Sequence, residues 1–358
     1  MALRCPDCGR EYADRWRCEC GEPLQFATQP LPDADHPREA PLDPREGLWT
    51  FDAFLPVERH VSLGEGYTPL VEASAWDAAF KLEYVFPTGS FKDRGATTTL
   101  SRAVDVGAER VLEDSSGNAG AAIATYAARA GIPAEIYVPA DAKPSKLSAI
   151  RAAGADVVRV DGTRQDVTDA CVAAVRDGAG WYASHAWNPA FVAGTATVAY
   201  ELAHQREWAV PEAVVLPVGH GTLFLGAYRG FTALREAGWI DRVPRLLAAQ
   251  AAGSAPLVAA LHGDEAATGD NDTADGIQIR EPPQLPHLLD AIERTGGDAI
   301  ALPGEAVTDA CRRLHRDGFY VEPTAAVAPA ALRAYRERSV LDPGDDVVVP
   351  LTGSGLKE

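Results

Sequence analysis

From about residue 64 onward, short β-rich apolar runs alternate with longer Ala-rich stretches. The short runs lie at Arg110–Glu113, Ala134–Val138, Val157–Val160, Ala213–Pro217, Leu246–Gln250 and Asp346–Leu351. Between them the pattern predicts helices over Ala96–Val104, Ala119–Ala130, Ser145–Ala153, Thr163–Arg176, Gly194–Arg206, Leu223–Leu234 and Thr308–Arg316. Strand and helix alternating in this way predict an α/β fold of βαβ units around parallel sheets. No internal repeat is evident. Upstream, Gln29–Pro44 is rich in Pro and Asp and poor in apolar residues, which marks a boundary. The expected division is 1–26 as a small cysteine module, 27–62 as a linker or arm, and 63–358 as the main body.

Composition narrows the class. With 358 residues, 46% of them hydrophobic, the chain is long enough for two principal domains and an appendage. No window approaches eighteen uncharged apolar residues, and the first residues lack the layout of a signal peptide. A cytoplasmic location without membrane association is therefore expected. The net charge of −18 repels phosphodiester backbones and anionic lipid, so nucleic acid is not an expected partner. Of the 33 basic residues five are Lys, leaving 28 Arg. High acidity with so little Lys fits a surface kept hydrated in concentrated salt, a halophilic trait; codon bias alone accounts for the Lys deficit but not for the excess of acid.

Scarcity of Lys makes Lys92 conspicuous. It stands in Pro87-Thr88-Gly89-Ser90-Phe91-Lys92-Asp93-Arg94-Gly95, running into a helical pattern. An amine that must lose its proton and attack a carbonyl cannot be replaced by guanidinium, whereas a merely solvated charge could be. Asp114-Ser115-Ser116-Gly117-Asn118 follows a strand and opens an Ala-rich helix, so Ser115, Ser116 and Gly117 present a turn suited to a carboxylate, or simply cap a helix. Pro217-Val218-Gly219-His220-Gly221-Thr222 again joins strand to helix. Gly219, His220, Gly221 and Thr222 there offer backbone amides and a hydroxyl to a phosphate, but not the full dinucleotide fingerprint. Near the C-terminus, Thr352-Gly353-Ser354-Gly355 places the Thr352 hydroxyl on a Gly-rich turn after the last strand.

Together these strings resemble the fold-type II pyridoxal-phosphate enzymes, and within them the threonine synthase family, over roughly residues 63–358. The resemblance implies a two-domain, tryptophan-synthase-β-like body with a small subdomain at about 97–190 inserted in a larger one. It implies that Lys92 holds pyridoxal 5′-phosphate and exchanges protons. It further implies that Asn118 meets the ring hydroxyl, Gly219 to Thr222 the cofactor phosphate, and Thr352 the pyridine nitrogen. Leu63 to Leu70 resembles the family's opening segment. The implied reaction converts O-phospho-L-homoserine and water to L-threonine and phosphate, with a small-molecule amino-acid substrate as partner and a homodimer as the assembly. Lys146 and Asn188 are candidate substrate-binding residues, with His185 and His220 as weaker ones. One departure is plain: where the family pattern carries Arg two places after Asn188-Pro189, this chain has Phe191. An unphosphorylated amino acid, as in a serine/threonine dehydratase or other β-replacement enzyme, is the alternative substrate. A non-catalytic binding protein that kept the scaffold is the third reading, opposed by the presence of Lys92, Asn118 and Thr352.

Cys5-x-x-Cys8 and Cys18-x-Cys20, with Gly9 and Gly21 following, read as two halves of one knuckle. Four thiolates around one tetrahedral structural Zn²⁺ are expected, with disulfides disfavoured in a reducing compartment.

Overall fold

A computed structural model describes residues 1–34 and 36–357 of the chain. Strands β1 (Leu3–Arg4), β2 (Glu11–Tyr12) and β3 (Gln25–Phe26) make a small antiparallel sheet in the order β2-β1-β3. Leu3, Cys5, Cys18 and Leu24 are buried together beside it. Residues 44–54, expected as part of an arm, form 3-10 turns and bury Phe51 and Phe54 in the main core. Phe54 stacks on Tyr200 with centroids 4.6 Å apart. This second half of the arm is therefore a strap packed on the body, because its aromatic side chains have an apolar surface to cover.

The body begins with a hairpin, β4 (Leu70–Ala73) and β5 (Ala78–Lys81), followed by helix α1 (Lys92–Asp105). Next come β6 (Val111–Glu113), α2 (Asn118–Ala130), β7 (Ala134–Pro139), α3 (Pro144–Ala152), β8 (Asp156–Val160), α4 (Arg164–Arg176) and β9 (Trp181–Tyr182). These four strands form one parallel sheet in the order β8-β7-β6-β9. The chain returns through α5 (Pro189–Gln205), β10 (Ala213–Pro217), α6 (Thr222–Glu236), β11 (Arg245–Ala251), α7 (Pro256–His262), α8 (Leu285–Thr295), β12 (Asp298–Leu302), α9 (Gly304–Arg316), α10 (Val327–Glu337) and β13 (Val347–Pro350). The second sheet runs β12-β11-β10-β13-β5-β4, parallel throughout except for the hairpin pair. The expected α/β class with parallel sheets is the one observed.

Differences from the sequence expectation have local causes. Helix α5 starts at Pro189 rather than Gly194, because the Asn188 side chain accepts from the Ala190 N–H and Pro189 suits the first turn. Strand β12 escapes the sequence pattern because its Ala-containing segment has no strong β preference, and pairing with β11 decides it. Close crossing of α1 and α5 needs Gly194: a Cβ there would lie 2.0 Å from the Arg94 carbonyl oxygen. Among the described residues no helix is long and apolar enough to cross a membrane.

Candidate active site

Lys92 is the first residue of α1, and three features fix it. The preceding turn is pinned to the C-terminal turn, with Phe91 N donating to Thr352 O at 3.0 Å and Ser354 N to Gly89 O at 2.9 Å. Asp93 accepts from Thr88 N at 2.9 Å and closes the turn from the other side. Behind the helix start, the Arg94 guanidinium donates to Glu83 and Glu201, and Glu201 also pairs with Lys81 at 2.7 Å. All four of these charged side chains are fully buried. Arg94 and Lys81 hold the Glu201 carboxyl down at about 2 against the opposing effect of its burial. Burial pulls the Lys92 amine down to about 8, opposed by Glu113 and Glu322. Its Nζ lies 4.5 Å from the Phe91 ring centroid and 5.8 Å from that of Phe191.

Two strand-to-helix turns approach the same amine. Residues 114–117 join β6 to α2, and Asn118 opens that helix. Its Nδ2 donates to Glu322 Oε1 at 2.9 Å, while Lys357 Nζ donates to its Oδ1. Residues 218–221 join β10 to α6. Gly221 takes a left-handed conformation, φ 79°, and a Cβ there would meet Leu288 at 2.5 Å, so the turn requires glycine. Thr222, the first residue of α6, is buried. Backbone amides at such a helix start attract anions.

A cleft of about 290 Å³ brings the pieces together. Lys92, Asn118 and Thr352 line it, with Ser115, Ser116 and Gly117 on one wall and Gly219, His220, Gly221 and Thr222 on another. Lys146 also lines it, paired with Asp275 across the mouth. Asn188 does not: it is buried as the cap of α5, lining a separate small pocket beside Trp16 and Tyr182. Phe191 is fully buried, its ring pressed against Gly95, where any Cβ would lie 2.3 Å away.

The candidates His185 and His220 sit here beside Glu113, a neighbour that no local sequence pattern marks. Glu113 accepts from His185 N at 3.1 Å and contacts His185 Nδ1 at 2.6 Å. The His185 and His220 rings meet edge to face at 4.9 Å, and both nitrogens of His220 are buried without a hydrogen-bond partner among the described residues. Burial drives both imidazoles well below their ordinary value, reinforced by Lys92 for His185 and by His185 for His220. Burial raises Glu113 well above the usual carboxylate range. Arg164, Glu322 and Thr324 complete the lining. No local pattern marks them: Arg164 opens α4, and Glu322 and Thr324 belong to a single short turn far along the chain.

At the N-terminus, the Sγ atoms of Cys5, Cys8, Cys18 and Cys20 all lie within 4.8 Å of one another. Cys5 to Cys20 is 3.6 Å and Cys8 to Cys18 is 3.5 Å, too long for disulfide bonds.

Comparison with known proteins agrees with this geometry. Residues 61–353 match the family model described as pyridoxal-phosphate dependent enzyme. A threonine synthase of Methanocaldococcus jannaschii is 33% identical over 100% of this chain and 93% of its own length. Another, of Mycobacterium tuberculosis, is 32% identical over 83% of this chain and 84% of its own. Among solved structures, a T.th. threonine deaminase superposes with a TM-score of 0.66 at 28% identity, covering 80% of this chain and 92% of that one. The chain belongs to the threonine synthase family of pyridoxal-phosphate dependent enzymes.

Proposed function

We propose that the chain converts O-phospho-L-homoserine and water to L-threonine and phosphate. The observation that carries this reading is the convergence of one partly neutral amine, Lys92, with two anion-binding turns and the Thr352 hydroxyl in a single cleft. These residues fit pyridoxal phosphate. The Gly219–Thr222 turn at the start of α6 would hold its phosphate, Lys92 would bind it covalently, Asn118 would meet the ring hydroxyl, and Thr352 would face the ring nitrogen. When bound, the cofactor draws electrons from the substrate's α-carbon. The protein's own part is positional and protolytic. Ser115, Ser116 and Gly117 receive the α-carboxylate at the start of α2, and Lys92 Nζ accepts the α-proton and returns protons as the Cγ–O bond breaks and water adds at Cβ.

The test is to assay the purified protein with O-phosphohomoserine, serine and threonine in high salt. Phosphate and threonine formed in equal amounts support the reading. Ammonia and keto acid from serine or threonine would instead establish a dehydratase, the reading that the apolar Phe191 favours.

The cysteine module is read as a structural Zn²⁺ site. Zn–S bonds of about 2.3 Å in a tetrahedron put the sulfurs about 3.8 Å apart, close to the two spacings observed. About one Zn²⁺ per chain is expected, released on Cys8→Ser. A homodimer, a cytoplasmic location and adaptation to salt complete the proposal, resting on family resemblance and composition.

A further inference from the structure

Substrate selection in this cleft needs a cation for a distal anionic group, and the cleft supplies one that neither glycine-rich turn contains. Arg164, at the start of α4, is the only arginine among the described residues that line it. Its Nη1 and Nη2 both donate to Asp114 Oδ2 at 3.0 Å, and Nη1 also donates to Thr168 Oγ1 at 2.8 Å. Asp114 is itself locked, accepting from Tyr182 OH at 2.9 Å and Thr168 Oγ1 at 2.6 Å, with 4% of its side chain exposed. The guanidinium keeps 39% of its side chain exposed. One edge is thus anchored on a buried carboxylate, and the side chain as a whole opens on the cleft. Asp114 directly precedes Ser115, so this anchor ties the arginine to the turn that receives the substrate's carboxylate. A planar guanidinium held in this way is pre-organised for a tetrahedral oxyanion.

The other basic groups are placed differently. Lys146 is committed to Asp275 at an exposed ion pair. Lys92 is reserved for chemistry at the α-carbon. At position 191, where guanidinium would otherwise stand, the phenyl ring is sealed against Gly95 and cannot contribute a charge. Among the described residues neither buried ring nitrogen of His220, beside His185, has a hydrogen-bond partner, and neutral imidazole can still donate one N–H toward an anion in the cleft.

We propose that Arg164, oriented by Asp114, is the specificity-determining residue that binds the terminal phosphate of the substrate. This rests on the reading of O-phosphohomoserine as substrate and names the residue that selects it. A tetrahedral oxyanion meeting this guanidinium gains charge-assisted hydrogen bonds that an unphosphorylated amino acid lacks.

The experiment uses holoenzyme carrying Arg164→Gln or Arg164→Lys. For Arg164→Gln the KM for O-phosphohomoserine is expected to rise roughly 100-fold with kcat within about threefold. Competitive inhibition by inorganic phosphate should disappear. Binding of unphosphorylated L-threonine, read from the cofactor's absorbance, should stay within about twofold. Arg164→Lys keeps a cation beside Asp114, so it should remain folded and recover part of the affinity. An unchanged KM, or equal weakening of phosphorylated and unphosphorylated ligands, overturns the proposal. If wild-type holoenzyme releases no phosphate from O-phosphohomoserine, the substrate reading fails by itself. Arg164 is then still judged on inorganic phosphate, whose binding must depend on it.

Discussion

Two clusters of charged and polar side chains flank Lys92, and they are built on opposite principles. Behind it, Arg94, Glu83, Glu201 and Lys81 are fully buried, and Thr68, Thr197 and Gln205 supply further hydrogen bonds. In front of it, Glu113 and His185 are also buried, while His220 is half-buried with both ring nitrogens enclosed and without a hydrogen bond among the described residues. A saturated network fixes helix α1 against α5 and the β4–β5 hairpin, because every charge has a partner it cannot exchange for water. An incomplete one holds polar atoms ready for a ligand, at some expense in stability. The difference separates the residues that place Lys92 from those that share its cleft.

Removing the amine between the two clusters has the largest effect. Lys92→Ala should lower turnover by roughly 10⁴-fold and abolish the absorbance of bound cofactor, with the unfolding transition of cofactor-free protein retained. A variant that kept its cofactor absorbance would remove Lys92 from its role.

Next in size is the saturated side. Glu201→Gln leaves Arg94 and Lys81 short of a countercharge and should destabilise the fold by about 3–5 kcal/mol in denaturant titration. A loss below about 1 kcal/mol would mean that water or a rearranged Glu83 substitutes, and the network would lose its structural standing.

The amine itself offers a pH test. Its folded value, about 8, lies below the ordinary 10.5, so folding expels a proton in the interval between. Stability of the cofactor-free protein should therefore rise with pH from about 8 to 10.5, where the unfolded chain alone remains protonated. Lys92→Met should remove that slope in thermal melts recorded across the interval. The same slope in the variant would assign the titration to another group.

On the incomplete side the effect should be smallest and opposite in sign. His220→Leu removes two nitrogens that have no partner among the described residues and should stabilise the cofactor-free fold by about 1 kcal/mol. A destabilisation as large as that of Glu201→Gln would show the two clusters to be of one kind.

Strands such as β10 and β7, and the helices that follow the glycine-rich turns, could be read from the chain because burial on both faces and helix starts leave local patterns. The hairpin β4–β5 and strand β12 could not, since their state is decided by neighbours far along the chain. Asn188 illustrates the limit at the site: its neighbourhood in the sequence marks a ligand residue, yet its side chain is spent on capping α5.

By itself the sequence determined the chemistry on offer: one conspicuous amine, two small-residue turns opening helices, a terminal hydroxyl and four paired cysteines. Those are properties of residue type and near spacing, which an unfolded chain already possesses. Only the tertiary structure decided which polar groups face the amine. It inserted β13 between β10 and β5, which sets Thr352 beside the Lys92 turn. It carried Arg164, His185 and Glu322 from three separate elements to one cleft, set Glu113 against His185, and sealed Phe191 against Gly95. Burial, and with it each shifted proton affinity, exists only once distant segments exclude water together.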